Sequence, residues 1–158
     1  RIDGDLYWDG GLYSNTPLET VLDALRPHTR GRLIVVFGCG GDRDKTKRGP
    51  MGVAACRAGD LAIVTSDNPR TESPAAIVQD MLQGMKIPQA AHQELDRAKA
   101  IAYAVMHADI RDVILIAGKG HENYQEVDGV RHWFDDVVEV QSAINAKAHS
   151  VDSAYPAQ

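Results

Sequence analysis

The sequence predicts an α/β fold, a Rossmann-like three-layer domain with a mainly parallel sheet and a C-terminal antiparallel hairpin. Three observations point to it. Residues 33–37, 61–65 and 113–117 are short apolar runs without strict alternation, bounded by Gly, Asp or Ser, the signature of strands buried on both faces. Between them lie segments with helical spacing of apolar residues. Near the end, Asp128-Gly129 separates two short runs, a two-residue hairpin signal.

Taken in order, Thr16-Pro17-Leu18-Glu19 offers a capping box with Pro in the first turn, and it opens a helix whose apolar face is Leu18, Val21, Leu22 and Leu25. The first strand, 33–37, runs into a long polar loop, GCGGDRDKTKRGPMG, before the second strand at 61–65. Ser73-Pro74 repeats the order of cap and proline ahead of Val78, Met81, Leu82 and Met85, and a further helix carries Ala98, Ile101, Ala102 and Val105. After the third strand, runs 123–127 and 130–134 flank the Asp-Gly turn, and a last helix is expected from about Asp136 to Lys147. Residues 148–158 are polar, contain Pro156 and lack a period, so a loose tail is expected there. Alternating helix and strand implies right-handed crossovers and helices on both faces of the sheet. The expected core is Leu22, Leu25, Ile34, Val36, Ile63, Ile77, Leu82, Ile101, Val105, Ile114 and Ile116.

Length and composition agree: 158 residues, 44% hydrophobic and 25% charged, suit one globular domain. A net charge of −5 makes the average surface repel nucleic acid and anionic membranes, so neither is an expected partner and any anion site must be local. Cys39 and Cys56 have no metal-ligand spacing and suit reduced thiols. RIDGDLYWDGG has no apolar signal-peptide region, and no run is long enough to span a membrane, so a cytoplasmic location is expected.

In an open parallel sheet, ligands sit beyond the carboxyl ends of the strands, and there the unusual residues fall. The first strand-end loop has Gly38, Gly40 and Gly41, followed by Arg43, Lys45, Lys47 and Arg48. It invites a phosphate-loop reading but lacks the Gly-Lys-Ser/Thr ending, and a solvated flexible loop is the plain alternative. The second sets Asp67, Asn68, Pro69 and Arg70 in a turn; Arg70 offers a planar fork for a carboxylate, against the plain reading of an Asn-Pro turn with a surface Arg. The third, Gly118-Lys119-Gly120-His121-Glu122, combines flexible backbone, a cation, an imidazole and an anion that could accept from an ammonium group. A lone His such as His121 is more often structural than catalytic, and no histidine shows metal spacing.

Together, VVFGCGGDRDKTKR, VTSDNPRTESP and LIAGKGHENYQ resemble the C-terminal domain of the UDP-N-acetylmuramoyl-tripeptide synthetases, the Mur ligase E family. The resemblance implies a domain over residues 16–147 of an ATP-dependent ligase that adds the third residue of the peptidoglycan stem peptide through an acyl-phosphate, with ATP and magnesium as cofactors. Asp-Asn-Pro-Arg marks family members that take meso-diaminopimelate. That agrees with the chemistry, since a bidentate Arg rewards the second carboxylate that lysine lacks. By the same resemblance Arg43, Asn68, Arg70, Gly118 and Glu122 hold the incoming amino acid, with Asp67, Lys119 and His121 as secondary candidates. No catalytic residue or metal ligand is assigned.

The full ligase of this family also has an N-terminal domain and a central ATPase domain with a phosphate loop. These are expected partners without which this chain binds the amino acid but does not catalyse. A second departure lies at the start. Where the family reads Asp-Tyr-Ala-His-Thr-Pro-Asp-Ala-Leu-Glu, this chain reads Leu12-Tyr13-Ser14-Asn15-Thr16-Pro17-Leu18-Glu19, with Asn15 replacing a His on the nucleotide side of the site. Residues 1–18 instead resemble the Asp-Gly-Gly segment of patatin-like acyl hydrolases, in which Asp9 would pair with a nucleophilic Ser. No Gly-x-Ser-x-Gly elbow is present, so hydrolase activity is not expected. A join between two unrelated segments accounts for both departures; the plain alternative is a structural lead-in whose Gly10-Gly11 turn joins a strand to a helix.

Overall fold

The computed structural model describes residues 18–85 and 91–154, with side chains in the last helix as far as Ser150. Within that range the element order is α1 (Leu18–Leu25), a 3-10 turn (Arg26–His28), β1 (Leu33–Phe37), a second 3-10 turn (Lys45–Lys47), α2 (Arg48–Ala58), β2 (Leu61–Val64), α3 (Pro74–Gln83), β3 (His92–Gln93), α4 (Arg97–His107), β4 (Val113–Ala117), β5 (Tyr124–Val127), β6 (Val130–Trp133) and α5 (Asp136–Ala154). The 1–18 lead-in with Asp9 and Asn15, and the Thr16-Pro17 cap, lie outside the described residues apart from Leu18.

The sheet has the order β3-β2-β1-β4, and every pairing in it is parallel. Alternate side chains of β1 feed two cores. Leu33, Val35 and Phe37 meet Leu18 and Leu22 of α1, Ala55 of α2, and Ile77, Val78, Met81 and Leu82 of α3. On the opposite face, Ile34 and Val36 meet Ala100, Ile101 and Ala104 of α4, with Phe134 and Val140 closing over them. This is the three-layer arrangement that the apolar runs predict. All five residues of β1 are fully buried, whereas all five of β4 are partly exposed. Ile114 and Ile116 are therefore half-buried members of the expected core, because β4 is the last strand in the described sheet; Leu25, at the end of α1, is half-buried as well.

Three features differ from the expectations. The loop expected after β1 becomes helix at Arg48. Its Pro50 falls in the first turn, where the missing N–H costs nothing. Gly52 brings α2 onto α3 so closely that a Cβ there would meet Met81 O at 2.3 Å. β3 is a two-residue strand that no apolar run announces. The last helix continues past Lys147 to Ala154, so residues 148–154 are not the loose tail expected. Nothing between Lys147 and Ala154 breaks a helix, Ser150 Oγ donates to Lys147 O at 2.7 Å, and the first proline is Pro156. Lys147 itself caps the end of α4, donating from Nζ to Val105 O at 2.8 Å and to Ala108 O.

The hairpin forms where Asp128-Gly129 predicts it. Both residues have positive φ, 50° and 76°, the pair that the tight turn requires. It is a separate two-stranded sheet with Tyr124 opposite Trp133 and Val127 opposite Val130.

Candidate functional site

The loops that follow β1, β2 and β4 converge at one end of the sheet. The first two run in contact. Gly41 N donates to Asn68 O at 2.8 Å, and a Cβ on Gly41 would lie 1.9 Å from Pro69 O, so only glycine allows this approach. Around Gly40 the site's two arginines meet: a Cβ there would lie 2.9 Å from Arg70 Nη1 and 3.5 Å from Arg43 Cγ. The third loop joins through Gly118, at φ 123°, whose built Cβ comes within 3.5 Å of both Asp67 Oδ2 and Gly38 O.

Asn68 is the hub. Its Nδ2 donates to Glu122 Oε2 at 2.8 Å, while Oδ1 accepts from Lys119 Nζ at 3.0 Å and from Glu126 N at 2.9 Å. The side chain is 2% exposed, so its oxygen is saturated and its amide fixes the orientation of the Glu122 carboxylate. Lys119 is also buried. Its ammonium donates to Asn68 Oδ1 and Tyr124 O and lies 3.4 Å from Asp67 Oδ1. A cation so committed holds loops together, and Lys119 is therefore a fastener rather than a free ligand group. Asp67 is buried beside it with Oδ1 lacking a well-formed hydrogen bond, and burial raises its pKa above the usual carboxylate value. His121 is exposed on the same loop, and Asn15 lies outside the described residues.

Arg70 sits at φ 52°, a left-handed conformation that costs a non-glycine residue about 1 kcal/mol. The hairpin holds it there. Arg70 N donates to Glu126 O at 3.0 Å, Asp128 N donates to Arg70 O at 2.7 Å, and Arg70 bridges Val127. Its guanidinium gives Nη1 to Gly41 O at 2.7 Å. Among the described residues, neither Arg70 nor the exposed Arg43 enters an ion pair. Arg48, Arg97 and Lys119, all buried, each do.

Those buried cations form the frame. Arg48 donates to Glu72 and Asp80 at 2.8–3.0 Å and to Gly40 O at 3.3 Å, tying α2, the second loop and α3 together. The Arg48 guanidinium holds the Glu72 carboxyl down to about 2, helped by the Asp42 N–H. Asp42, at φ 53°, in turn accepts from Thr71 N and Oγ1. Arg97 anchors the other side, donating to Asp136 at 2.7 and 2.8 Å and to the carbonyls of Ser66, two residues beyond β2, and of Ala117, the last residue of β4. Gln125 closes the set, donating to Asp67 O at 2.7 Å and Ser66 Oγ at 3.0 Å. Sequence reasoning passed over Glu72, Arg97 and Gln125, and it read Arg48 only as one cation of the first loop. The available signal was charge at two helix starts and in a loop, and a polar amide in a hairpin strand, residue types that ordinarily face water.

The rim thus offers two guanidiniums, backbone carbonyls and one oriented carboxylate, an arrangement suited to a zwitterion carrying an additional carboxylate. The family model described as Mur ligase, glutamate ligase domain, matches residues 14–120. The chain is 49% identical over 136 residues to the UDP-N-acetylmuramoyl-L-alanyl-D-glutamate--2,6-diaminopimelate ligase of Ectopseudomonas mendocina, covering 85% of this chain and 28% of that one. It is 53% identical over 134 residues to the protein of the same name from Xanthomonas oryzae pv. oryzae, covering 84% and 27%. A solved structure of a ligase of that name superposes with a TM-score of 0.81 at 52% identity, covering 87% of this chain and 29% of that one. The chain therefore spans a little over a quarter of the length of these relatives.

Proposed function

The chain belongs to the Mur ligase family through its glutamate ligase domain, and from that premise we propose that it binds meso-diaminopimelate for an ATP-dependent ligase of peptidoglycan synthesis. The observation that carries the reading is the contrast among its cations. Arg43 and Arg70 have no carboxylate partner among the described residues, while every neighbouring buried cation has one. Arg70 and Arg43 face the carboxylates of the amino acid. Glu122, oriented by Asn68, and the Gly118 carbonyl face its ammonium. Asn68 acts on the ligand through Glu122, and Asp67 and Lys119 keep the Asn68 amide in place.

ATP and magnesium would serve the whole ligase. The donor set on this rim does not suit them: the loops lack a Gly-Lys-Thr/Ser phosphate cradle, and among the described residues no cluster of three or more His, Cys, Asp or Glu could hold a metal ion. Acyl-phosphate formation therefore belongs to other parts of such a ligase, and this domain's share is to bind and orient the attacking amine. We place the domain at residues 16–147, in the cytoplasm. Among the described residues no helix is long and apolar enough to cross a membrane.

Isothermal titration of this chain with meso-diaminopimelate and with lysine tests the proposal. Tighter binding of diaminopimelate is expected; equal affinities, or no heat from either, would leave a fold whose site is unused.

A further inference from the structure

The first two strand-end loops each turn at a left-handed residue beside the rim. Asp42, at φ 53°, directly precedes Arg43, and Arg70 itself stands at φ 52°. Glycine would take the Asp42 backbone at no cost, so an aspartate there is explained by what its side chain does. Its carboxylate accepts from Thr71 Oγ1 at 2.8 and 2.9 Å and from Thr71 N at 3.2 Å, while its own N–H donates to Glu72 Oε1 at 2.7 Å. The side chain and the backbone of one residue are thus bound to the two residues that follow Arg70.

The lacing continues inward. Gly41 N donates to Asn68 O, and Arg70 Nη1 donates to Gly41 O. Segments 40–43 and 68–72 therefore lie side by side, with one arginine in each. Gly40 shows what this alignment achieves. Its backbone is not left-handed, and a Cβ there would meet Arg70 Nη1 at 2.9 Å and Arg43 Cγ at 3.5 Å before any main-chain atom, the nearest being Asn68 O at 3.8 Å. The space beside Gly40 is bounded first by the two arginines, whereas at Gly41 it is bounded by the Pro69 carbonyl.

Asp42 and Thr71 are both exposed, and hydrogen bonds between exposed groups add little to stability. Glu72 is held without them, by Arg48. What the Asp42–Thr71 link supplies is a fixed spacing between the residue before Arg43 and the residue after Arg70.

We propose that Asp42 and Thr71 are positioning residues for amino-acid selectivity, whose link presets the spacing of the Arg43 and Arg70 guanidiniums. The proposal rests on the role given above to those arginines in meeting the carboxylates of the ligand. meso-Diaminopimelate, with two carboxylates, engages both arginines and gains from their being placed in advance. Lysine, with one, leaves an arginine unengaged and is indifferent to the spacing.

Isothermal titration of the full chain tests this. Asp42→Gly, which keeps the left-handed turn and removes the carboxylate, should weaken meso-diaminopimelate about three- to tenfold and change lysine by less than about twofold. Thr71→Val, which lacks only the hydroxyl, should shift selectivity in the same direction, and Thr71→Ser, which retains it, should keep the parent's selectivity. In a chain already carrying Arg43→Ala, Asp42→Gly should cost nothing further, because no second guanidinium is left to space. Equal weakening of both ligands, or a full additional loss on top of Arg43→Ala, overturns the proposal. Should Asp42→Gly fail to fold, the contrast between Thr71→Val and Thr71→Ser decides. A parent that prefers meso-diaminopimelate, with variants that prefer it as strongly, overturns the positioning role alone; a parent without that preference overturns the role of the arginines and this proposal with it.

Discussion

The cations beneath the three loops and the cations on their rim do opposite work, although Arg48 and Lys119 come from the same stretches of sequence as the rim cations and only Arg97 comes from elsewhere, the start of α4. Arg48, Arg97 and Lys119 are at most 3% exposed, and each is matched to carboxylates and carbonyls. Arg43 and Arg70 are left without a carboxylate among the described residues. Charges taken out of water must be paired, whereas a charge kept at the surface can wait for a ligand. The difference teaches that the charge density of these loops is not one property: part of it builds the site, and part of it remains for binding.

The comparison breaks if a frame residue proves dispensable, and the largest effect is expected there. Arg97→Met should lower unfolding free energy by about 3 to 5 kcal/mol, because it strands the Asp136 carboxylate and the carbonyls of Ser66 and Ala117. Urea denaturation checks it, and a loss below about 1 kcal/mol would mean the pair is solvated. Gly41→Ala should cost about 1 to 3 kcal/mol by forcing a methyl group onto Pro69 O, and should weaken diaminopimelate binding by parting the first two loops.

Rim substitutions should show the reverse pattern, with ligand affinity lost and stability kept. Arg70→Lys should weaken meso-diaminopimelate about ten- to a hundredfold while leaving lysine nearly unchanged, because Lys retains the charge but not the planar fork. Equal weakening of both ligands would remove Arg70 from the carboxylate-reading role. Glu122→Gln sharpens the contrast by weakening both ligands together, since both present an ammonium. Isothermal titration reads both variants, and their unfolding midpoints should stay near the parent's.

The smallest effect is in pH. Glu72 is held at about 2 by Arg48, below its ordinary value of 4.5. A carboxyl depressed on folding stabilises the fold above its unfolded pKa and loses that contribution as pH falls toward the folded one. Thermal midpoints should therefore fall between about pH 4.5 and pH 2, and Glu72→Gln should flatten that fall at the expense of a lower midpoint at pH 7. An unchanged slope would remove Glu72 from the frame.

The strands were legible because β1 and β2 are buried deeply enough to need unbroken apolar runs, and β4, although partly exposed among the described residues, carries the run VILIA. α2 was hidden for a physical reason: Gly49, Gly52 and Ala55 serve close contact with α3 and the sheet, which calls for small residues and leaves no apolar period to read. A parallel β1–β2 pair needs a crossover, so the helix was implied by topology even where its residues did not announce it. At the site, the convergence of the loops that carry Arg43, Asn68, Arg70, Gly118 and Glu122 followed from the sheet, while the roles proposed for those residues came from the family resemblance. The difference between Lys119 and Arg70 was not legible. Both are cations in polar, glycine- or proline-containing loops, and only burial separates the one that fastens from the one that faces outward.

The hairpin is tied to residue 70 by that residue's own N–H and C=O, not by its guanidinium. Any amino acid except proline can make those bonds, and the left-handed backbone there would suit glycine or asparagine at least as well. The position that would choose the substrate is therefore mutationally uncoupled from the fold that carries it. Over evolutionary time such a site can exchange one amino-acid preference for another by a single substitution, without passing through a misfolded ancestor.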